Sequence, residues 1–310
     1  MKKKEYNYHP SLKRWARFNP KLNWFTLPIM QGFMKMYYFV PKTDKTCVVK
    51  KFKIALYNKK VKAIAYLPKK LQDNAPCLIY YHGGGFVLPA APHHYKNAGQ
   101  YCKGANCVVI LVNYPLAPKH KYPKPIEASY DVYKWVIQNA KEFNIDINKI
   151  MVGGDSAGAT IAATICYMAN ERNYAMPCSQ MLMYPAVGSN KETASMKEFT
   201  DTPMINSKDY KKYSMYFFKN ENQMKTRKYT SPLNVKNCKI YPTTYLETAE
   251  FDCLRDQGKD FAQQLKKSGV NVTLNNTKGT MHGYDIAQKS PITKQNVKKR
   301  IDFLNKVFYS

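Results

Sequence analysis

A chain of 310 residues, 45% hydrophobic and 14% aromatic, carries enough apolar surface to bury a sizeable core, which excludes a disordered tail, a collagen or a low-complexity chain. Forty-nine Lys and Arg against 21 Asp and Glu give a net charge of +28. The lysines are spread along the whole chain without a zinc-ligand spacing or an RRM, KH or helix-turn-helix signature, so a specific nucleic-acid reader is excluded and a solvated, Lys-rich surface is expected.

Residues 1–45 lack a strand period and are expected to form an amino-terminal cap segment ahead of a catalytic domain at 46–310. Lys2, Lys3 and Lys4 lead into Glu5, Tyr6 and Asn7 rather than into the apolar run of a secretion signal. The stretch 22–40 is the one membrane candidate, but Asn23, Pro28, Gln31, Gly32 and Lys35 interrupt the roughly 20 apolar residues that a span needs. It is expected to be part of a lid, with an interfacial helix as the second choice. Cysteines at 47, 77, 102, 107, 166, 178, 238 and 253 form no close C-x-x-C pair and sit mostly in apolar runs. They read as reduced core residues, which together with the amino terminus gives an expected cytoplasmic location.

From residue 48 the pattern alternates between short apolar runs and helical ones, the rhythm of a sheet flanked by helices. Strands are expected at 48–57 and 61–67, joined as a hairpin by Asn58, Lys59 and Lys60, and then at 77–82, 107–113, 149–153, 179–184, 243–248 and 270–274. A helix over 127–143 follows from the spacing of Ile126, Tyr130, Tyr133, Ile137 and Ala140. An Ala- and Ile-rich helix follows residue 158, and others are expected at 256–268 and 293–308. The fold class is therefore α/β with mostly parallel later strands. The stretch at about 188–228 breaks the rhythm and reads as a cap insertion. Its Met196, Phe199, Met204, Tyr213, Tyr216, Phe217 and Phe218 either pack on the body or line an acyl pocket.

The strongest chemical signal is Gly154-Asp155-Ser156-Ala157-Gly158, at the end of an apolar strand and the start of a helix. G-x-S-x-G in this context puts a serine on a strained strand-to-helix turn, with glycines where side chains would collide with neighbouring backbone. A second signal, His82-Gly83-Gly84-Gly85-Phe86, follows the strand at 77–82. Three successive glycines let backbone N–H groups approach an oxyanion closely. Gly84 and Gly85 are the expected donors, with Gly83 a fallback, the Ala157 N–H completing the hole and His82 a loop buttress.

With these runs stand Asn113 to Pro123 (NYPLAPKHKYP), Ala249 to Gly258 (AEFDCLRDQG) and Met281 to Tyr284 (MHGY). The five motifs, in this order between residues 76 and 284, resemble the hormone-sensitive-lipase branch of the α/β-hydrolase fold, whose members are esterases and lipases with an amino-terminal cap. The resemblance implies Ser156 as nucleophile, Asp252 as acid and His282 as base, in the order that the fold imposes. It implies a carboxylesterase acting on short- to medium-chain acyl esters, with a small-molecule ester as partner and no metal or organic cofactor.

The positions also make sense without the family. Asp252 follows the strand at 243–248, and His282 follows the strand at 270–274 through a loop containing Gly279, so both fall at the carboxyl edge of the sheet with Ser156. Glu250 and Asp256 are rivals for the acid; His9, His93, His94 and His120 fit the base less well. A neutral histidine base predicts activity that rises with pH through the histidine range.

Two departures from the family's pattern are expected to alter packing or stability rather than remove a reacting group. Pro115 and Lys119 stand where an arginine and a glutamate are usual, and Ala159 where a second glycine is usual. Other readings stay open: a binding protein on the same fold, known in the family from a plant hormone receptor that has lost the catalytic histidine, and an amidase or deacetylase with the same triad. Weak attachment to anionic membrane through the basic amino-terminal segment and a homodimer also stay open.

Overall fold

The computed structural model describes residues 4–17, 22–36, 47–56, 59–188 and 192–310. Eight strands form one sheet: β1 (Cys47–Leu56), β2 (Lys59–Pro68), β3 (Ala75–Tyr81), β4 (Val108–Asn113), β5 (Ile145–Asp155), β6 (Ser179–Met183), β7 (Thr243–Phe251) and β8 (Val272–Met281). Their order is β1-β2-β4-β3-β5-β6-β7-β8. β2 runs antiparallel to both neighbours, and every pair from β4 through β8 is parallel. The central strands β3 and β6 are buried along their whole length, β3 as its unbroken apolar run dictates and β6 with its polar Ser179 and Gln180 satisfied by Thr243 and Thr244 of β7.

Helices α2 (Pro92–Gly104), α3 (Lys124–Gln138), α4 (Ala157–Glu171), α8 (Arg255–Lys267) and α9 (Pro291–Tyr309) cover the sheet. Short helices α5 (Ala194–Glu198), α6 (Ser207–Phe217) and α7 (Glu221–Thr226) lie within the stretch read as a cap insertion, and α1 (Thr26–Met36) within the amino-terminal segment. Leu22 and Leu27 join the same buried cluster as Phe86, Tyr216, Phe217 and Phe218, so α1 and α6 are continuous with the core beneath them. The eight cysteines are free thiols, all of them buried except the half-buried Cys178.

Among the differences from the sequence expectation, three boundaries and one unexpected helix have a clear physical reason. Lys59 and Lys60 pair with Leu56 and Ala55 as part of β2, not as turn residues, and the exposed Lys60 shows that this two-strand extension accepts lysine on a solvated face; Asn58 lies outside the described residues. α2 was not expected: His93, His94, Lys96, Asn97 and Gln100 hide its period, yet His94, Tyr95, Ala98, Tyr101 and Cys102 form a buried face. β5 starts at Ile145, four residues early, because Ile145 pairs with Ala75 ahead of the polar Asn148 and Lys149.

The fourth difference bears on the site. No loop separates the last strand from His282: β8 runs to Met281 and delivers His282 directly. Asn275, Asn276 and Lys278 break the apolar pattern, but β8 pairs with β7 on one side, and its polar side chains find partners, Asn275 at the Tyr245 hydroxyl and Asn296, Asn276 at Thr248. Gly279 sits in this strand with φ +65°, opposite a register shift between Ala249 and Phe251. That bulge re-aims the strand end. Its N–H donates to Glu250 Oε2 at 2.6 Å, and its carbonyl accepts the His9 N–H at 2.8 Å.

Candidate active site

Ser156 stands between β5 and α4 with φ 53° and ψ −118°, a strained conformation for a residue with a side chain. The sequence around it leaves no alternative path. A Cβ on Gly158 would overlap the Tyr81 carbonyl, and one on Gly154 would come within 2.5 Å of the carbonyl oxygens of Tyr81 and Gly158. Strand, turn and helix therefore pack closer than side chains permit, and Ser156 is held with its N–H on the Met183 carbonyl at 2.9 Å.

Three elements far apart in sequence converge here. His282 Nε2 lies 2.8 Å from Ser156 Oγ, and His282 Nδ1 lies 2.8 Å from Asp252 Oδ2. The carboxylate accepts, so the proton belongs on Nδ1 and the Nε2 lone pair receives the serine hydroxyl. Asp252 is fully buried, its Oδ1 accepting the Leu254 N–H at 2.8 Å. The rival carboxylates have other partners: Glu250 takes the Gly279 N–H, and Asp256 accepts the Ser195 N–H of α5 at 2.7 Å and the Arg255 Nε–H at 2.8 Å.

The four candidate oxyanion donors separate. Gly85 and Ala157 line the cavity beside Ser156. Gly84, at φ +110°, forms a tight turn whose carbonyl accepts the Val87 and Leu88 N–H groups. The Gly83 N–H is committed to Asp155 Oδ2 at 3.1 Å, which removes it as a free donor. His82 stacks on Tyr114 with ring centres 4.4 Å apart, and its Nδ1 lies 2.7 Å from the Gly83 carbonyl. Burial holds its pKa down at about 3, so the ring is a neutral support for the loop.

Sequence reasoning missed two buried polar groups beneath the site. Asp155 accepts from the Tyr80 hydroxyl at 2.8 Å and from His94 Nε2 at 3.1 Å as well as from Gly83. Burial alone would raise its pKa; the His94 ring and these donors outweigh burial and hold the carboxyl below the usual range. His93, His94 and Asp155 present ligand atoms within 4.8 Å of one another, a spacing that could hold a metal ion. His94, however, has both nitrogens engaged, Nδ1 accepting the Ala91 N–H at 2.7 Å, and serves as a hydrogen-bonded strut.

The second group centres on Arg300, wholly buried and bonded to Glu247 Oε1 at 2.6 Å and Asp285 Oδ2 at 2.9 Å. Asp285 also accepts the Tyr184 hydroxyl at 2.6 Å, and the Tyr184 ring meets the His282 ring edge-on at 4.9 Å. The available signal was a lone acid inside an apolar strand, Glu247 within 243–248, which demands a buried cation.

Above Ser156 opens a cavity of about 620 Å³. Met196, Tyr213, Phe217 and Phe218 from the expected acyl-pocket set line it, with Phe86, Ile205 and Leu254. Phe199 instead packs in a small buried cluster with Ile205, Cys253 and Leu254, and Tyr216 packs against Trp24.

A family model described as alpha/beta hydrolase fold matches residues 78–286, from the strand before the glycine loop to just beyond His282. The chain belongs to the α/β-hydrolase family. It is similar to the esterase LipI of Mycobacterium tuberculosis, 32% identical over 213 residues that cover 69% of this chain and 67% of that protein. Carboxylesterase NlhH of the same organism is 33% identical over 221 residues, covering 71% and 69%. Among solved structures, a Pyrobaculum calidifontis esterase superimposes with a TM-score of 0.87 at 27% identity over 98% of this chain and 100% of that one. Ser156, Asp252, His282 and the glycine loop all fall within the matched residues of this α/β hydrolase.

Proposed function

We propose that this α/β hydrolase is a serine carboxylesterase that cleaves short- to medium-chain acyl esters through an acyl-enzyme intermediate. The observation that carries this reading is the single imidazole of His282 within 2.8 Å of both Ser156 Oγ and Asp252 Oδ2. The similarity to proteins named as esterase and carboxylesterase supports the substrate class.

His282 Nε2 takes the Ser156 proton as the oxygen attacks the ester carbonyl. The resulting oxyanion is received by the Gly85 and Ala157 N–H groups, with Gly84 the next candidate, and the positive end of the α4 dipole lies beside it. His282, now an imidazolium stabilised by Asp252, returns the proton to the leaving alcohol. A water deprotonated by the same nitrogen then attacks the acyl carbonyl, and Ser156 regains its proton as the acid departs. Phe86, Met196, Phe217 and Phe218 offer the acyl chain an apolar wall.

Hydrolysis of a p-nitrophenyl ester series from acetyl to dodecanoyl tests the reading, with wild type beside Ser156→Ala. The expected result is turnover that peaks at short or medium chains and falls by at least about 10³-fold in the variant. Absence of turnover from the folded wild type across the series would overturn it.

A further inference from the structure

Of the ten large hydrophobic side chains that are exposed among the described residues, five lie in one segment: Trp24, Phe25, Ile29, Phe33 and Met36. Phe25, Ile29, Phe33 and Met36 recur every three to four residues, so they form one stripe along α1. The stripe faces outward, with Phe25 85% and Ile29 72% exposed, while Leu27 is buried. A helix on a protein surface normally turns its polar side to water. Here the inner side carries the anchor: Gln31 Nε2 donates to the Val87 carbonyl at 2.6 Å and the Ala117 carbonyl at 2.8 Å. Gln31, with the inward Leu27 and Met30, fastens α1 next to the glycine loop and leaves Phe25, Ile29, Phe33 and Met36 on the outer side.

The stripe is continuous with the mouth of the cavity. Trp24 packs edge-on against Tyr216 of α6 at 4.7 Å, and the adjacent Met215, 66% exposed, lines the cavity. Around that mouth the charge has one dominant sign: Lys211, Lys219, Lys225 and Arg227 line the cavity against the one acid Glu221. Exposed Lys211 and Lys219 stand at the opening itself. An apolar stripe about five side chains long, flanked by cations, matches the chemistry of an anionic lipid surface: an apolar acyl layer below a plane of negative headgroups. A soluble acidic protein would leave the stripe unsatisfied, and a second copy of this +28 chain would bring like charges together.

We propose that α1 and the rim of α6 form a docking face that seats the protein on anionic lipid, with the cavity mouth turned toward the membrane. The face binds whether or not the triad is active, so binding and catalysis are tested separately. It goes beyond the ester-hydrolase reading in naming the surface from which a substrate would enter.

The test is co-sedimentation of the full chain with phosphatidylcholine vesicles, with and without about 30% phosphatidylserine. The variants are Phe25→Ser/Ile29→Ser/Phe33→Ser, whose side chains are exposed, and the single Ile29→Glu, which guards against misfolding of the triple change. Wild type is expected to pellet with the anionic vesicles only and to be released by salt. Both variants should lose binding, the triple variant by about tenfold or more, while turnover of soluble p-nitrophenyl acetate is unchanged. Failure of wild type to pellet, or equal pelleting of wild type and both variants, would overturn the proposal. So would a wild-type dimer in sedimentation velocity that the variants dissolve, since the stripe would then belong to a second copy.

Discussion

The Gly83 N–H and the Asp155 carboxylate are joined by a 3.1 Å hydrogen bond that ties the glycine loop to the residue immediately before Ser156. Because Tyr80 and His94 share that carboxylate, β3, α2, the glycine loop and the elbow meet at one buried group. Asp155→Ala should strand three donors, lowering stability by about 3 kcal/mol and kcat by tenfold or more while KM changes less. Urea unfolding and steady-state kinetics on p-nitrophenyl acetate measure both. Asp155→Asn, which keeps an acceptor oxygen, should recover part of the stability.

Gly85 lies under the cap with φ +61°, and a Cβ there would come 2.7 Å from Tyr213 Cδ2. Gly85→Ala is therefore expected to displace an oxyanion donor and to reduce kcat about 10²-fold. Combining it with Tyr213→Ala removes the collision but leaves the backbone strain, so kcat should recover only in part. Full recovery, or no recovery, would show that one of the two effects is absent.

Arg300 neutralises two buried carboxylates behind the histidine. Arg300→Met should destabilise the fold by about 3–5 kcal/mol, since Glu247 and Asp285 are left without their cation. Replacing all three with apolar residues of similar size should destabilise far less. Thermal unfolding of the single and triple variants distinguishes a required charge network from a stranded one.

The buried His82 and the half-buried His93 give the fold a pH dependence of one sign, which His94, raised by the Asp155 carboxylate against the effect of burial, opposes in part. Burial lowers His82 to about 3 and His93 to about 4, against 6.5 in the unfolded chain. Between pH 6.5 and 4 the unfolded chain takes up protons that the folded chain refuses. Stability is therefore fully present above pH 6.5 and falls with acidification, by up to about 1.4 kcal/mol per pH unit for each histidine. Asp155 and Asp285, held low in the fold by His94 and Arg300 against the effect of burial, add to the loss below about pH 4. With two lowered histidines against one raised, urea midpoints at pH 7, 5.5 and 4.5 should fall in that order; a flat series contradicts the neutral state of His82 and His93 in the fold.

What the sequence made legible follows from range. Ser156 and the glycine loop were readable because close backbone approach forces glycine at fixed offsets, a constraint local in sequence. The parallel strands β3 and β4 announced themselves because burial on both faces leaves a nearly continuous apolar run. β8 was misread at its carboxyl end because an edge strand tolerates Asn275, Asn276 and Lys278, whose partners lie on β7 and α9. α2 was hidden because its inner face includes His94 and Asn97, whose burial depends on Asp155 and Asp285, distant in the chain. The strain at Ser156 was implied by the motif, whereas the commitment of Gly83 to Asp155 emerges only when two strands are placed side by side.

The most direct test of the nucleophile is covalent capture. Wild type, Ser156→Ala and His282→Gln are each incubated with a fluorophosphonate, followed by intact mass measurement and peptide mapping. The account predicts one adduct per wild-type chain, mapped to Ser156, with none on Ser156→Ala and labelling of His282→Gln slowed by at least about 10³-fold. An adduct on another residue, or a wild type that is folded and unlabelled, would contradict it.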